Sequence, residues 1–196
     1  MDTSDRYTDP AQSLEPVRYD IIEHLKKAVS DKDSPFRDPV VTSVDNTGRP
    51  QARVMILRDF DPSTMCLRVY TDARSPKVHD LRSNAFVQLV LYDHDARLHM
   101  RVSGTVVLHV RDELTEKLWS SLPEYGRGDY LSRKPPGAML SDPGAFELEP
   151  ELGSENFMVV EIYIHEIDWL KLSSSGHKRA RLTWREGRFE GQWITP

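Results

Sequence analysis

Cysteine is nearly absent: Cys66 is the single one among 196 residues. That excludes an intrachain disulfide framework and any metal site built on several thiolates, and it points to a reducing compartment. No stretch is apolar for long enough to span a bilayer as a helix, and the polar start Met1-Asp2-Thr3-Ser4-Asp5 lacks signal-peptide character. The expected location is therefore the cytoplasm, away from membranes. Positive charge is also in deficit, with a formal net charge of -5, so nucleic acid is not an expected partner and any phosphate site must be a local basic cluster. The ten glycines never fall into G-x-G-x-x-G or G-x-x-x-x-G-K-[ST], which removes the dinucleotide fingerprint and the P-loop. The seven histidines show no metal-ligand spacing, and no G-x-S-x-G elbow is present. No metal site and no activated-serine hydrolase are expected.

What is present is a β-rich pattern with helices at its margins. Apolar residues make up 38% of the chain, enough for one core. Residues 1–14 read as a flexible solvated tail, and 15–196 as one domain. Val17, Ile21, Ile22, Leu25, Ala28 and Val29 recur at helical spacing over Glu15–Ser30. From Pro39 the period changes to strands over 40–44, 53–60 and 65–71, separated by turns at 45–48 and 61–62 and read as an antiparallel meander. A helix follows over 75–82, then strands over 85–92 and 97–110. The latter places Leu98, Met100, Val102 and Val106 on one face, with His99, Arg101, Ser103 and Thr105 on the other. A helix over 112–122 leads into residues 123–153, a Pro/Gly-rich loop holding five of the 13 prolines and five of the ten glycines. Strands return over 157–164, 180–184 and 189–194. Six or seven strands joined by short turns favour a mainly β (α+β) fold, an antiparallel barrel with flanking helices.

The chemistry concentrates in residues 53–77. Arg53 and Arg58 bracket the apolar run Val54, Met55, Ile56 and Leu57, which reads as a buried strand with charge at both ends. Ser75 before Pro76 is a helix start, and a helix there points its free amides at an anion with Lys77 in its first turn. Singly, Arg53 and Arg58 pair with neighbouring acids as readily as with a ligand, and Lys77 is a solvated helix charge. Together with Tyr70 and Thr71 they read as a phosphate site. Cys66, inside a strand, reads as a buried inert thiol, and Trp169, Trp184 and Trp193 as strand aromatics that fill a core.

The order Arg53 to Arg58, Tyr70-Thr71, Ser75-Pro76-Lys77, Arg101-Val102-Ser103-Gly104, then Trp169, Arg181-Leu182-Thr183-Trp184 and a terminal Trp193-Ile194-Thr195-Pro196 resembles the pyridoxamine 5′-phosphate oxidase-like family of FMN-binding split β-barrels, as a divergent member. The resemblance implies FMN as cofactor. It implies that Arg53, Tyr70, Thr71, Ser75 and Lys77 hold its phosphate and ribityl chain, that Val54 to Leu57 lie along the ring, and that Arg58 or Arg181 supplies positive charge to it. It places His99 where the family has a glutamine donated by a second subunit, and Trp169 and Arg181 where the family has ring-contacting residues. It further implies a homodimer with flavin sites between subunits. On the substrate side the family's Arg-x-His reads His177-Lys178-Arg179, and Lys117, Trp119, Ser120 and Ser121 stand where a Tyr, Arg and Ser are expected. The expected function is an FMN-binding oxidoreductase acting on a small molecule other than pyridoxamine phosphate. The alternative is a non-catalytic split-barrel protein that holds flavin or haem.

Overall fold

A computed structural model describes residues 13–145 and 147–196. The expected tail over 1–14 lies outside the described residues up to residue 12. Leu14 already packs against the core and precedes α1 (Glu15–Ser30). Pro16 in the first turn, Glu15 at the positive end of the helix dipole and Lys27 at its negative end fix the direction and limits of this helix. Its buried face is Val17, Ile21, Leu25 and Ala28, which lies against the sheet.

Nine strands follow: β1 (Val40–Val44), β2 (Pro50–Val54), β3 (Leu57–Asp61), β4 (Cys66–Asp72), β5 (Phe86–Asp93), β6 (Leu98–Val110), β7 (Phe157–Lys171), β8 (Lys178–Arg185) and β9 (Arg188–Ile194). The helices between them are α2 (Pro76–Ser83), α3 (Glu113–Ser121), α4 (Glu124–Arg127) and α5 (Gly153–Asn156). All strand pairings are antiparallel, in the order β2-β1-β5-β6-β7-β4-β3, with β8 on the far half of β7 and β9 beside β8. The two ends of the seven-strand path, β2 and β3, are consecutive in sequence and separated only by Met55 and Ile56. A sheet whose opposite edges are joined by two residues must curl on itself. The result is a mainly β, antiparallel split barrel with flanking helices.

Residues 53–60 are therefore not one buried strand. The Met55 N–H donates to the Pro39 carbonyl (3.1 Å) and the Leu57 N–H to the Arg37 carbonyl (2.8 Å), so the chain leaves β1 and crosses to β4 at this point. Met55 and Leu57 turn inward, while Val54 is 64% exposed and Ile56 40% exposed. The expected meander is thus two separate hairpins. The strand expected over 157–164 continues to Lys171, because β7 changes partner midway from β4 to β8. That change coincides with a bulge in β7, where His165 is the extra residue opposite the step from Ser103 to Gly104 of β6. A Cβ on Gly104 would sit 2.5 Å from the Tyr163 carbonyl oxygen, so the bulge admits only glycine without a shift of backbone.

The barrel interior is filled by residues such as Leu57, Leu67, Leu89, Met100, Ile162 and Trp169, all at most 1% exposed. A second apolar cluster lies outside the barrel, where Tyr130, Phe157 and Val159 meet Tyr70, Leu118 and Trp119. The α3 helix over this cluster starts at a capping box formed by Asp112 and Thr115. Among the described residues no helix is long and apolar enough to cross a membrane.

Candidate cofactor site

Arg53 stands opposite Val41 on the inward face of β2, and its guanidinium lies along β1. It donates to the Ser43 hydroxyl at 2.8 Å and lies 3.9 Å from the Asp80 carboxylate on α2. Lys77, in the first turn of α2, folds back so that its ammonium donates to the hydroxyls of Ser75 (2.7 Å) and Thr71 (3.1 Å). Ser75 occupies the N-cap position with extended backbone, yet its hydroxyl makes no cap bond to the helix. It serves the ammonium instead.

Both cations are half-buried, and both are held below their ordinary pKa. For Arg53 burial is the main cause, opposed by Asp80. For Lys77 burial comes first and the charge of Arg53 second, with Asp72 opposing. Two neighbouring cations in this state are short of negative charge. A bound anion would relieve both.

A cleft of about 300 Å³ opens beside them, at the lower end of small-molecule sites. Arg53, Val54, Met55, Ile56, Arg58, Tyr70, Thr71 and Lys77 line it, together with Asp129 and Tyr130 from the Pro/Gly-rich loop. The Arg58 guanidinium lies over the Tyr70 ring at 5.8 Å, and the Tyr70 ring meets Phe157 edge-on at 5.0 Å. Burial, and then the charge of Asp59, push the Tyr70 phenol up, so it remains a neutral donor.

The loop residues are held by bonds whose partners lie far apart in sequence. Arg74 grips Asp72 with two nitrogens and donates to the Ser132 and Arg133 carbonyls (2.8 and 3.0 Å). The Asn156 amide donates to the Tyr130 carbonyl at 2.8 Å. The sequence marks 123–153 as a Pro/Gly-rich loop but singles out neither Asp129 nor Tyr130, since neither belongs to a motif or a period. Arg74 next to Ser75 was the available signal.

The remaining expected site residues lie elsewhere in this chain. Leu57 is fully buried in the barrel. Trp169 is also fully buried, and its indole N–H donates to Asp20 on α1 at 2.9 Å, so in this chain it is a core residue as the strand-aromatic reading expects. His99 is on the outer face of β6, its basicity lowered by burial and then by Arg101. Arg181 on β8 pairs loosely with Glu166 at 3.7 Å. On this outer face Asp168 accepts from Arg101 and Arg179, and those bonds, Arg179 first, bring its carboxyl down to about 2. Lys117, Ser120 and Ser121 are exposed on α3 and do not line the cleft. Among the described residues no group of His, Cys, Asp and Glu is arranged to hold a metal.

Residues 18–110 match the family described as pyridoxamine 5′-phosphate oxidase, FMN-binding domain. Under half of the chain carries that likeness. The segment contains the whole cationic half of the cleft and stops short of the loop and of β7 to β9. A pyridoxine/pyridoxamine 5′-phosphate oxidase of Myxococcus xanthus is 31% identical over 87 residues, which is 44% of this chain and 40% of that protein. One of Bartonella henselae is 29% identical over 105 residues, 52% of this chain and 49% of that protein. The matched stretch thus spans half or less of these relatives. Among solved structures, a pyridoxamine 5′-phosphate oxidase-related, FMN binding protein of Nostoc punctiforme superposes with a TM-score of 0.75 at 23% identity, covering 94% of this chain and all of that one. PhzG of Burkholderia lata, solved with tetrahydrophenazine-1-carboxylic acid, gives 0.72 at 17% identity over 95% of both chains. These two likenesses show that the split-barrel fold extends over nearly the whole chain.

Proposed function

We propose that the cleft holds FMN and that the protein is an FMN-dependent oxidoreductase working on a small molecule. The observation that carries this reading is the pair Arg53 and Lys77, half-buried at one cleft with the hydroxyls of Thr71 and Ser75 turned to Lys77 and their basicity lowered by burial. A phosphate dianion supplies a counter-charge, and the two hydroxyls add donors around it. Once bound, the flavin supplies hydride transfer. The residues of the chain do the rest. Arg53 and Lys77 fix the phosphate, Val54, Met55 and Ile56 form one wall, and Tyr70 and Tyr130 form the other. Arg58 brings positive charge to the cleft, and Asp129 is the one carboxylate among the lining residues, the group placed to take a proton released there.

Titration of the purified protein with FMN and with riboflavin tests the reading. FMN is expected to bind much the more tightly, because riboflavin lacks the phosphate. Equal affinities, or no uptake of FMN, would remove the proposal.

One observation favours a second reading, a flavin holder without turnover. Of the α3 residues standing where the family's substrate-phosphate set is expected, Lys117, Ser120 and Ser121 are exposed and outside the cleft and Trp119 packs into the apolar cluster with Tyr130 and Phe157. Aerobic steady-state assays of FMN-loaded protein with NADH, NADPH and pyridoxamine phosphate separate the two. Turnover with any of them supports the enzyme, and pyridoxamine phosphate is expected to be a poor substrate. An efficiency of about 10⁴ per molar per second or better with it would refute that last point.

A further inference from the structure

A second cleft, about 320 Å³, lies between the turn joining β5 to β6 and the turn joining β7 to β8. Thr71 pairs with Met158 at the first end of β7, whereas Leu98 pairs with Lys171 at the last, so the two clefts belong to opposite ends of that strand. The turns that frame the second one are tied together. Arg97 has positive φ (49°), its N–H bonds back to His94, and its carbonyl accepts the Leu172 N–H at 2.9 Å. The two walls are thereby held at a fixed distance.

The lining is one-sided in charge. Arg97 contributes a guanidinium that pairs with no carboxylate among the described residues. His177 accepts the Ser173 N–H on Nδ1 at 3.2 Å, which leaves its proton on Nε2 as a hydrogen-bond donor even when the ring is neutral. Ser173 and Ser174 add hydroxyls, and no carboxylate lines the cleft. Of the two carboxylates in that turn, Asp93 accepts the Ala96 N–H at 2.8 Å and Asp95 is not among the lining residues. The remaining wall is flat and apolar: Leu172 and the exposed ring of Tyr92, which stands edge-on to His94 at 6.2 Å.

We propose that this cleft binds a small flat-ring oxyanion, an aromatic carboxylate or an aryl phosphate, with the oxyanion on Arg97 and His177 and the ring against Tyr92 and Leu172. A planar guanidinium receives either oxyanion through two parallel bonds, and Tyr92 offers a face for offset stacking. The site is independent of the flavin cleft, since none of its residues lines that one.

Calorimetric titration of the full chain with benzoate, phenyl phosphate, cyclohexanecarboxylate and inorganic phosphate tests this. One of the two ring oxyanions is expected to bind, and which one does so distinguishes carboxylate from phosphate. Cyclohexanecarboxylate and inorganic phosphate, which lack the flat ring, are expected to bind more weakly. Arg97→Ala should weaken the ring ligand by roughly tenfold or more, the loss of one charge-assisted contact, and Tyr92→Leu should remove the preference for a flat ring. The FMN affinity of both variants should stay as in the parent, which also reports that they are folded. Failure of both ring oxyanions to bind at 10-millimolar ligand, roughly the weakest affinity worth calling a site, would overturn the proposal. So would ring-ligand binding that is insensitive to Arg97→Ala, or binding abolished by Arg53→Ala, which would place the ligand in the flavin cleft.

Discussion

Arg53 and Lys77 share one deficit of negative charge, and their contributions to a bound phosphate follow from it. Arg53→Ala or Lys77→Ala is expected to weaken FMN by about 1.5–3 kcal/mol, the range for a charge-assisted hydrogen bond, with riboflavin nearly unaffected. Parallel titrations with the two ligands read this directly, and equal losses would mean that the residues act through the fold. Asp168 makes a separate prediction for acid. Its carboxyl lies at about 2 instead of the ordinary 3.8 because Arg179 and Arg101 donate to it. A depressed carboxylate stabilises the fold fully above its unfolded value, and the contribution is lost as pH falls toward the folded one. Asp168→Asn should therefore lower stability at neutral pH, and its difference from the parent should shrink between about pH 4 and pH 2 in urea melts. A constant difference across that window would assign the cost to packing. At this scale the cationic half of the cleft was legible, since Arg53, Tyr70, Thr71, Ser75 and Lys77 all fall within the short stretch 53–77. Asp129 and Tyr130 were not, because what brings them to the cleft is Arg74 and Asn156 bonding to main-chain carbonyls that any residue carries.

Strands show the same division between local pattern and long-range pairing. The alternation of β6 was plain in sequence because one face meets the core and the other does not. The break at Met55 and Ile56 was invisible, since an apolar run reads alike whether it continues one strand or passes between two. The long β7 was cut short at Ile164 in sequence because its polar residues, Glu166 and Asp168, answer Thr183 and Arg181 across a pairing that no local pattern announces. Gly104 is where β6 accommodates the change of partner along β7. Gly104→Ala would place a methyl carbon against the Tyr163 main chain, and backbone on a neighbouring strand cannot step aside as a side chain can. The expected cost is ~1–3 kcal/mol, seen as a lower urea midpoint with little change in slope. A neutral result would mean that the bulge can relax. The loop has its own test: Arg74→Ala removes the bonds to Ser132 and Arg133 and leaves the buried Asp72 carboxylate without its guanidinium, so it should raise protease sensitivity in the loop, weaken FMN and lower the urea midpoint.

For the whole molecule, the outer face of the sheet is the feature that carries exposed apolar side chains beside fixed ion pairs. Val54, Val40 and Val90 lie in register across β2, β1 and β5, with Phe86 two pairs further along β5. Val54 and Phe86 are 64% and 67% exposed, and beyond them on β6 to β8 the same face carries Arg101, Asp168, His99 and Arg181. An apolar strip bordered by fixed ion pairs has the make-up of a protein interface. A second copy of this chain is the partner we propose, because the family resemblance implies a dimer with flavin between subunits and because His99 and Arg181 lie on this face and not in their own chain's cleft. Light scattering behind size exclusion is expected to give twice the 22.6 kDa chain mass. Phe86→Glu, at the exposed end of the strip, should shift the protein toward the monomer, since a buried unpaired carboxylate is costly. If the flavin site is completed by the partner, the same variant should lose FMN affinity together with the dimer and recover both as protein concentration is raised. A monomeric Phe86→Glu that binds FMN as tightly as the parent would place the whole flavin site within one chain and leave His99 and Arg181 without a part in it.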